Sequence, residues 1–180
     1  MSPRAAPFFR PIECDRFVPE AGNNGKVMRL SLASAGALLL MSTSAFAQNP
    51  GATPTYGDIR LAPGFLPDPY EIRLQAGGPI DAAEELHPDC PGYIASAPDV
   101  NIHYQNTGIP LYIYVESESD TTLIVQGPGD QWYCEDDTVG LNPVMVFRPP
   151  QSGRYSIWVG TYRDNGTERA TLKISETGRN

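Results

Sequence analysis

The chain has 180 residues, of which 41% are hydrophobic, and its formal net charge is −8. This length suits a single domain with a real core, and the hydrophobic fraction is ordinary for a globular protein. Residues 48–180 alone carry 8 Lys and Arg against 18 Asp and Glu, a net charge near −10. Because phosphate binding needs clustered Lys and Arg, we do not expect nucleic acid as a partner.

An apolar run near the N-terminus predicts a signal peptide. Leu30–Met41 follows Lys26 and Arg29 and precedes Ala45-Phe46-Ala47, which is the order of a charged region, an apolar region and a cleavage site. About a dozen apolar residues are too few to cross a bilayer, which takes about 20 helical residues. We therefore predict cleavage after Ala47, export to the periplasm or the medium, and no transmembrane segment in the mature chain.

The remaining boundaries follow from composition. Residues 1–27 have no hydrophobic period, and Met28 is the more natural start, so we interpret 1–27 as a mis-assigned extension and 28–47 as the signal peptide. Residues 48–55 are polar, with two prolines and a glycine, and predict a flexible lead-in. Residues 56–176 are then one domain.

Short segments of residues 56–176 alternate between apolar and polar side chains, which is the period of half-buried strands. Ile80–Leu86 predicts a short turn of helix, and Asn165-Gly166 predicts a hairpin turn. We expect an all-β fold, a β-sandwich of jelly-roll type with about eight antiparallel strands, and a closed barrel is the alternative. The main predicted strands are Tyr70–Ala76, Tyr93–Ala95, Asp99–Gln105, Leu111–Glu116, Thr121–Val125, Trp132–Cys134, Val144–Phe147, Arg154–Tyr162 and Ala170–Ser175.

The cysteines agree with export. Cys14 is lost with the leader, which leaves Cys90 and Cys134 for an oxidising compartment. We predict a disulfide between them, and two free buried thiols are the alternative. Closing a loop of about 45 residues stabilises a fold by roughly 4 kcal/mol on the chain-entropy model.

Several motifs recur in a known family of exported domains. They include Cys90-Pro91-Gly92-Tyr93-Ile94, Trp132-Tyr133-Cys134-Glu135-Asp136-Asp137, Ser152-Gly153-Arg154-Tyr155 and Trp158-Val159-Gly160-Thr161-Tyr162. Together they resemble bacterial pre-peptidase C-terminal domains and their stand-alone exported relatives. The resemblance covers about Tyr56–Ser175. It implies an exported β-sandwich of a family that is found beside secreted proteases, some members of which bind calcium or extracellular polymers.

A predicted hairpin ends in an acidic cluster that suits calcium, which takes six to eight oxygen ligands. An acidic run is also typical of a solvated loop, and no EF-hand spacing is present. The predicted calcium ligands are Glu135, Asp136, Asp137, Asp120 and Asp130.

Aromatic residues on the predicted strands suggest a surface for sugar rings or for a protein partner. Half of such residues in a strand normally face the core, so Trp158 either lies outward or fills a second face of the sheet. The predicted binding surface consists of Trp132, Tyr133, Trp158 and Tyr162.

Catalysis is not expected, because residues 48–180 contain only two imidazoles, His87 and His103. No G-x-S-x-G or H-E-x-x-H motif is present, and a third histidine for a zinc site is missing. We expect an exported, non-catalytic binding module, stabilised by calcium, that recognises an extracellular polysaccharide or protein. The alternatives are a structural envelope protein, or a peptidase-associated protein or cryptic hydrolase.

Overall fold

The computed structural model describes residues 48–163 and 166–179. The predicted signal peptide, the extension before it and Asn165 of the predicted hairpin turn lie outside these residues. Across the described part of the chain, no helix is long and apolar enough to span a membrane. The elements are β1 (Asp58–Leu61), β2 (Tyr70–Gly77), β3 (Ile80–Asp81), α1 (Ala82–Glu85), β4 (Tyr93–Ile94), β5 (Val100–Tyr104), β6 (Leu111–Glu116), β7 (Thr121–Gln126), β8 (Trp132–Glu135), β9 (Val144–Phe147), β10 (Gly153–Thr161) and β11 (Thr167–Ser175).

The strands form two sheets, which confirms the predicted β-sandwich. In the seven-stranded sheet, called sheet A, β10 pairs with β5 and β4 along one edge and with β7 along the other. The remaining strands of sheet A are β1, β3 and β8, which pair with β5, β4 and β7 respectively. The four-stranded sheet, called sheet B, has the order β2-β11-β6-β9.

Two details of the predicted fold were wrong. The described residues form eleven strands rather than about eight. In addition, β1 pairs with β5 in parallel, so the strands are not all antiparallel. The additional strands include β1 and β3, which have four and two residues and are too short to show a clear alternation.

The main core lies between the inner faces of the two sheets. Strand β10 contributes Tyr155, Ile157 and Val159, each at most 1% exposed, and the side chains that alternate with them point to the other face of sheet A. Leu111, Ile113 and Val115 of β6 occupy the equivalent positions of sheet B. The two strands therefore follow the period of 2 that their sequences predict.

A second apolar cluster covers the outer face of sheet A. The segment Ile80–Ile94, which we call the strap, packs over Trp158 and Ile124, and both of these side chains are fully buried. The predicted disulfide is confirmed: Cys90 of the strap is bonded to Cys134 of β8, with 5.1 Å between their Cα atoms. The strap therefore gives sheet A a small core on its outer side.

The strap contains α1, which lies within the segment predicted to form a short turn of helix. The Asp81 carboxylate caps α1 by accepting from the backbone N–H of Ala83 at 2.9 Å. Gly160 is required where the strap crosses β10. A Cβ at this position would collide with the Thr122 side chain and would lie 2.8 Å from the carbonyl oxygen of Tyr93. The close approach of the strap to β10 therefore depends on a glycine.

A buried carboxylate fills a gap in sheet A. Residues Gly153–Ile157 of β10 pair with β5, and Thr161 pairs with β4. Val159 lies between these two regions, and its backbone N–H donates to Asp99 Oδ2 at 2.7 Å. Asp99 is only 4% exposed. Burial raises the pKa of this carboxyl to about 7, against the opposing effect of the Val159 hydrogen bond.

The outer face of sheet B is polar. Lys173 of β11 lies between two carboxylates, with its Nζ 3.1 Å from Glu71 Oε1 and 2.7 Å from Glu116 Oε2. These three side chains lie on one face of the sheet, because Glu71 pairs with Lys173 and Glu116 pairs with Thr171, which is two residues from Lys173 on β11.

The predicted lead-in, residues 48–55, is hydrogen-bonded to the sandwich. Asn49 N donates to the Ser96 carbonyl oxygen at 2.8 Å, and Thr55 N donates to that of Pro98 at 3.0 Å. The segment thus lies beside residues 96–99, the approach to β5.

Candidate functional site

The four aromatic residues predicted as one binding surface do not lie together. Trp158 is fully buried under the strap, 5.3 Å from the ring centroid of Trp132, so its assignment to a binding surface is corrected: its ring is not available to a partner. Trp132 and Tyr133 are consecutive in β8 and therefore face opposite sides of sheet A. Tyr133 packs edge-on against Phe147 of the main core, with centroids 5.1 Å apart.

Tyr162 differs from the other three aromatics. It follows β10, and 40% of its surface is exposed. It is therefore the member of the predicted set that is most open to a partner.

The five predicted calcium ligands are also separated. Asp130 lies in the turn between β7 and β8, whereas Glu135 ends β8, so the length of a strand divides them. Asp120 Oδ2 lies 3.4 Å from Arg163 Nε. Among residues 48–163 and 166–179, no three His, Cys, Asp or Glu side chains form a group able to hold a metal ion.

Two of the three consecutive carboxylates, those of Glu135 and Asp136, make local contacts instead. Glu135 Oε1 accepts from the Thr138 hydroxyl at 2.5 Å, and Asp136 Oδ1 accepts from the backbone N–H of Asp137 at 2.9 Å. Burial raises the pKa of Glu135, and the charges of Asp136 and Asp137 add to this effect, while the Thr138 hydrogen bond opposes it. These side chains thus belong to a structured turn that follows β8.

This turn lies at one end of the sandwich, beside two other loops whose proximity the sequence did not predict. Thr121 N, at the start of β7, donates to the Leu141 carbonyl oxygen at 3.1 Å. On the other side of the same strand start, Tyr162 N donates to the Asp120 carbonyl oxygen at 3.2 Å. Three loop segments therefore lie side by side, and we call them the acidic end: residues 117–120, 136–143 and 162–163.

The side chain of Asn142 holds the acidic end together. Its Oδ1 accepts from Ser117 N at 3.1 Å and from the Thr121 hydroxyl at 3.2 Å, and its Nδ2 donates to the Ser117 carbonyl oxygen at 3.0 Å. Asn142 and Val139 also exchange two backbone hydrogen bonds, with Gly140 between them at a φ of 64°. A left-handed conformation in so tight a turn favours glycine.

This turn places two apolar side chains outward. Val139 is 45% exposed and Leu141 is 49% exposed. Leu141 is hydrogen-bonded to Thr121, and the preceding residue, Asp120, is hydrogen-bonded to Tyr162. The three segments of the acidic end carry four carboxylates and one arginine, Arg163. The acidic residues of the acidic end are Glu118, Asp120, Asp136 and Asp137.

The signal that sequence reasoning missed is the pair of apolar residues on either side of Gly140. Val139-Gly140-Leu141-Asn142 has no strand or helix period, so its exposed leucine and valine are not recognised as a surface by periodicity.

A groove of about 570 Å³ lies at sheet B, between Tyr56 and residues of β2, β6 and β11. Glu116, Ser117 and Glu118 line it from the end of β6, and Arg73 and Arg169 line it from β2 and β11. The groove therefore has mixed charge, unlike the acidic end.

The two imidazoles are each bonded to an aspartate. His103 Nε2 lies 2.9 Å from Asp58 Oδ1, which joins β5 to β1, and His87 Nδ1 accepts from the backbone N–H of Asp89 at 3.2 Å within the strap. These contacts have an evident structural purpose, since one links two strands and the other closes a turn.

No protein-family model matches the sequence, and neither does any curated protein. Solved structures do match the fold. The chain is similar to a pre-peptidase C-terminal domain. This domain, from a collagenase of Bacillus anthracis, is 14% identical, with 69% of this chain and 99% of that chain covered and a TM-score of 0.40.

A periplasmic inhibitor of g-type lysozyme from Aeromonas hydrophila is also similar, at 16% identity, with 66% of this chain and 97% of that chain covered and a TM-score of 0.35. The predicted resemblance to pre-peptidase C-terminal domains thus has a counterpart among solved structures.

Proposed function

We propose that this protein is an exported, non-catalytic binding module whose acidic end recognises a protein with a basic surface around an apolar pocket. The observation that carries the proposal is the position of Val139, Leu141 and Tyr162. They are three of the five large apolar side chains that are exposed among the described residues, and they occupy one end of the sandwich. Exposed apolar residues scattered singly are ordinary, whereas a group of them is typical of an interaction site.

The backbone of the acidic end supports tight binding. The backbones of Leu141 and Tyr162 are hydrogen-bonded to Thr121 and Asp120 at the start of β7. The side chain of Asn142 adds three hydrogen bonds to Ser117 and Thr121. Loops that are ordered before binding lose less conformational entropy on association. The apolar side chains are thus presented on a pre-organised surface.

Charge determines the kind of partner. The apolar side chains lie among Glu118, Asp120, Asp136 and Asp137, and residues 48–180 as a whole are strongly acidic. Like charges across an interface are unfavourable, and opposite charges increase the rate of association. A basic protein surface therefore fits this end better than an acidic or neutral one.

A protein partner is favoured over a polysaccharide by the arrangement of the aromatic residues. A platform for sugar rings needs several exposed rings on one face, but Trp132 and Tyr133 face opposite sides of sheet A and Trp158 is buried. Leu141 and Val139 are aliphatic anchors, which suit a pocket on a protein surface.

The proposal is tested by capturing the partner in the exporting cells. A photo-crosslinking residue is placed at position 141 or, as a matched control, at position 66. Leu66 is 88% exposed and lies in the β1–β2 loop at the opposite end, because β1 ends beside Tyr104 where β10 begins. We expect position 141, and not position 66, to cross-link to a basic protein.

The captured protein is then purified and titrated against wild type, Leu141→Asp and Leu66→Asp. We expect Leu141→Asp to raise the Kd about tenfold or more, as for a central anchor, and Leu66→Asp to leave it unchanged. The Kd of the wild type is expected to rise with salt. An acidic partner, or an equal loss in the two variants, would reject the acidic end as the binding site.

A further inference from the structure

We infer that the outer face of sheet B carries a second binding site, for a ligand that has one carboxylate and hydrogen-bond donors beside it. The inference goes beyond the proposed function, because it concerns a small ligand and a different surface. The observation behind it is a patch of four polar side chains that line the groove of sheet B, which we call the donor patch: Arg73, Gln75, Arg169 and Thr171.

The pairing of β2 with β11 forms the donor patch. Gln75 is opposite Arg169, and Arg73 is opposite Thr171. Paired residues share a face of a sheet, and the pair between these two belongs to the main core, so the four side chains lie on the outer face. The two arginines are diagonal neighbours, with about 7–8 Å between their Cα atoms, and both side chains can reach one anion. Both strands lie within residues 56–176, so this register does not depend on residues 1–47.

The donor patch has positive charge without a counter-ion. Both arginines are exposed, and within the described part of the chain neither forms an ion pair with a carboxylate. Glu116 lies opposite Thr171, but its two oxygens are 2.7 Å from Lys173 Nζ and 3.9 Å from Arg179 Nε. Because neighbouring like charges repel each other, an anion bound between the two arginines removes an unfavourable interaction.

The chemistry of the donor patch suits a carboxylate. An arginine binds a carboxylate through two parallel N–H···O bonds, and the Gln75 amide and the Thr171 hydroxyl are further donors. Tyr56 also lines the groove, and its Oη accepts from Gln75 N at 3.0 Å, which leaves the hydroxyl hydrogen of Tyr56 to be donated to a ligand. The groove volume of about 570 Å³ is in the usual range for small-molecule sites, about 300–1,000 Å³.

Glu118 limits what the rest of the ligand can be. It lines the same groove from the loop after β6, and this loop is fixed against β11: the Ser117 hydroxyl donates to the Arg169 carbonyl oxygen at 2.9 Å and accepts from Ser119 N at 3.0 Å. A second negative charge on the ligand would be repelled by Glu118, whereas a hydroxyl or an ammonium group would donate to it. Sugar acids combine a carboxylate with a hydroxyl donor, and amino acids combine it with an ammonium donor.

The experiment is a titration of the isotope-labelled exported protein, followed by NMR through its backbone amides and arginine Nε–H signals. The probes are glucuronate and alanine, which combine a carboxylate with a donor, glucose, which lacks the carboxylate, and acetate, which lacks the donor. We expect saturable shifts in β2 and β11 with glucuronate or alanine, at a Kd about tenfold or more below that of acetate, and none with glucose. The tighter of glucuronate and alanine identifies the ligand as a sugar acid or an amino acid.

Four variants each remove one charge. Arg73→Gln and Arg169→Gln are expected to raise the Kd of the tighter probe about tenfold or more, because each removes a charged donor. Arg154→Gln is the matched control: Arg154 is exposed on β10 of sheet A, and its loss is expected to leave the Kd unchanged. Glu118→Gln is expected to weaken binding of the tighter probe and to strengthen binding of acetate, because the carboxylate that accepts from the donor and repels the anion is lost. Thermal unfolding checks that all four variants fold.

Two groups of results would overturn the inference. Absence of saturable shifts with both glucuronate and alanine, or an equal loss of affinity in Arg154→Gln and Arg73→Gln, rejects the site. Acetate that binds as tightly as the better probe, or a Glu118→Gln protein with unchanged affinities, rejects the ligand class. The arginine variants leave every residue of the acidic end unaltered, so their outcome is independent of the cross-linking test.

Discussion

The outer faces of the two sheets are closed in different ways. On sheet A, the strap covers Trp158 and Ile124 with apolar side chains and is held by the Cys90–Cys134 bond. On sheet B, the outer face carries Glu71, Lys173 and Glu116 and stays in contact with solvent. A small sandwich can therefore cover one outer face with a disulfide-bonded apolar segment and leave the other face charged and in contact with solvent.

The largest effect is expected from releasing the strap. Cys134→Ser removes the bond that holds the strap on sheet A, and loss of a native disulfide from a small secreted domain costs about 2–5 kcal/mol. The only two tryptophans, Trp132 and Trp158, lie in the cluster beneath it. We therefore expect a lower midpoint in denaturant and a red shift of the tryptophan emission of the folded variant. A shift of the midpoint without any change in emission would show that the strap stays in place without its bond.

A somewhat smaller effect is expected from the buried carboxylate of sheet A. Burial raises the pKa of Asp99 from 3.8 in the unfolded chain to about 7, so above pH 4 the unfolded chain releases this proton before the folded one does. The stability that Asp99 contributes is therefore full below about pH 4 and is lost as the pH rises through about 7, a change of roughly 4 kcal/mol.

The measurement is the free energy of unfolding between pH 4 and 8 for wild type and Asp99→Asn. The asparagine keeps an acceptor for the Val159 N–H but does not titrate, so we expect the difference between the two proteins to grow in favour of Asn as the pH rises. A constant difference over this range would contradict a raised pKa at Asp99.

The open face of sheet B is expected to tolerate change better. Lys173→Met keeps the apolar stem but removes the charge between Glu71 and Glu116, and partly exposed ion pairs contribute about 0.2–1 kcal/mol each. We expect a loss near 1 kcal/mol in thermal unfolding at low salt and less at high salt. The control is Arg73→Met, at an exposed position of β2 on the same face, for which we expect a smaller change. A loss of stability in Lys173→Met larger than that in Cys134→Ser would contradict the comparison of the two faces.

The smallest effect is expected from calcium. We keep calcium binding at Glu135, Asp136 and Asp137 as a prediction, but Glu135 would first have to leave its contact with Thr138, and Asp136 its contact with the backbone. At a concentration equal to Kd a ligand adds about 0.4 kcal/mol, or a shift of about 1–2 °C in a domain of this size. Thermal unfolding in calcium against chelator measures it, with Asp136→Asn/Asp137→Asn as the insensitive control. Equal shifts in the two proteins would place the ion elsewhere.

Local patterns in the sequence predicted most of the strands. The bounds of β6 and β9 are those predicted, and the parity that separates Trp158 from Tyr155, Ile157 and Val159 is found in β10. Parity alone did not show that the strap covers Trp158, because this depends on packing between segments far apart in the chain.

The candidate site was harder to predict for the same reason. Asp130 and Glu135 are five positions apart in sequence, but β8 holds them at opposite ends. Conversely, Leu141 and Tyr162 are distant in sequence and are brought together only because both are hydrogen-bonded to the start of β7. No local pattern records such long-range pairing.

The pairing of β2 with β11 has a consequence for the time at which the protein can fold. Eight residue pairs join them, from Tyr70 with Ile174 to Gly77 with Thr167, so β2 waits for a partner that is synthesised about a hundred residues later. Contacts this distant in sequence slow folding and leave strands unpaired while the chain is being made. Strands β2 and β6 lie on either side of β11 in sheet B, so the sheet closes only when the last strand of the chain has been made.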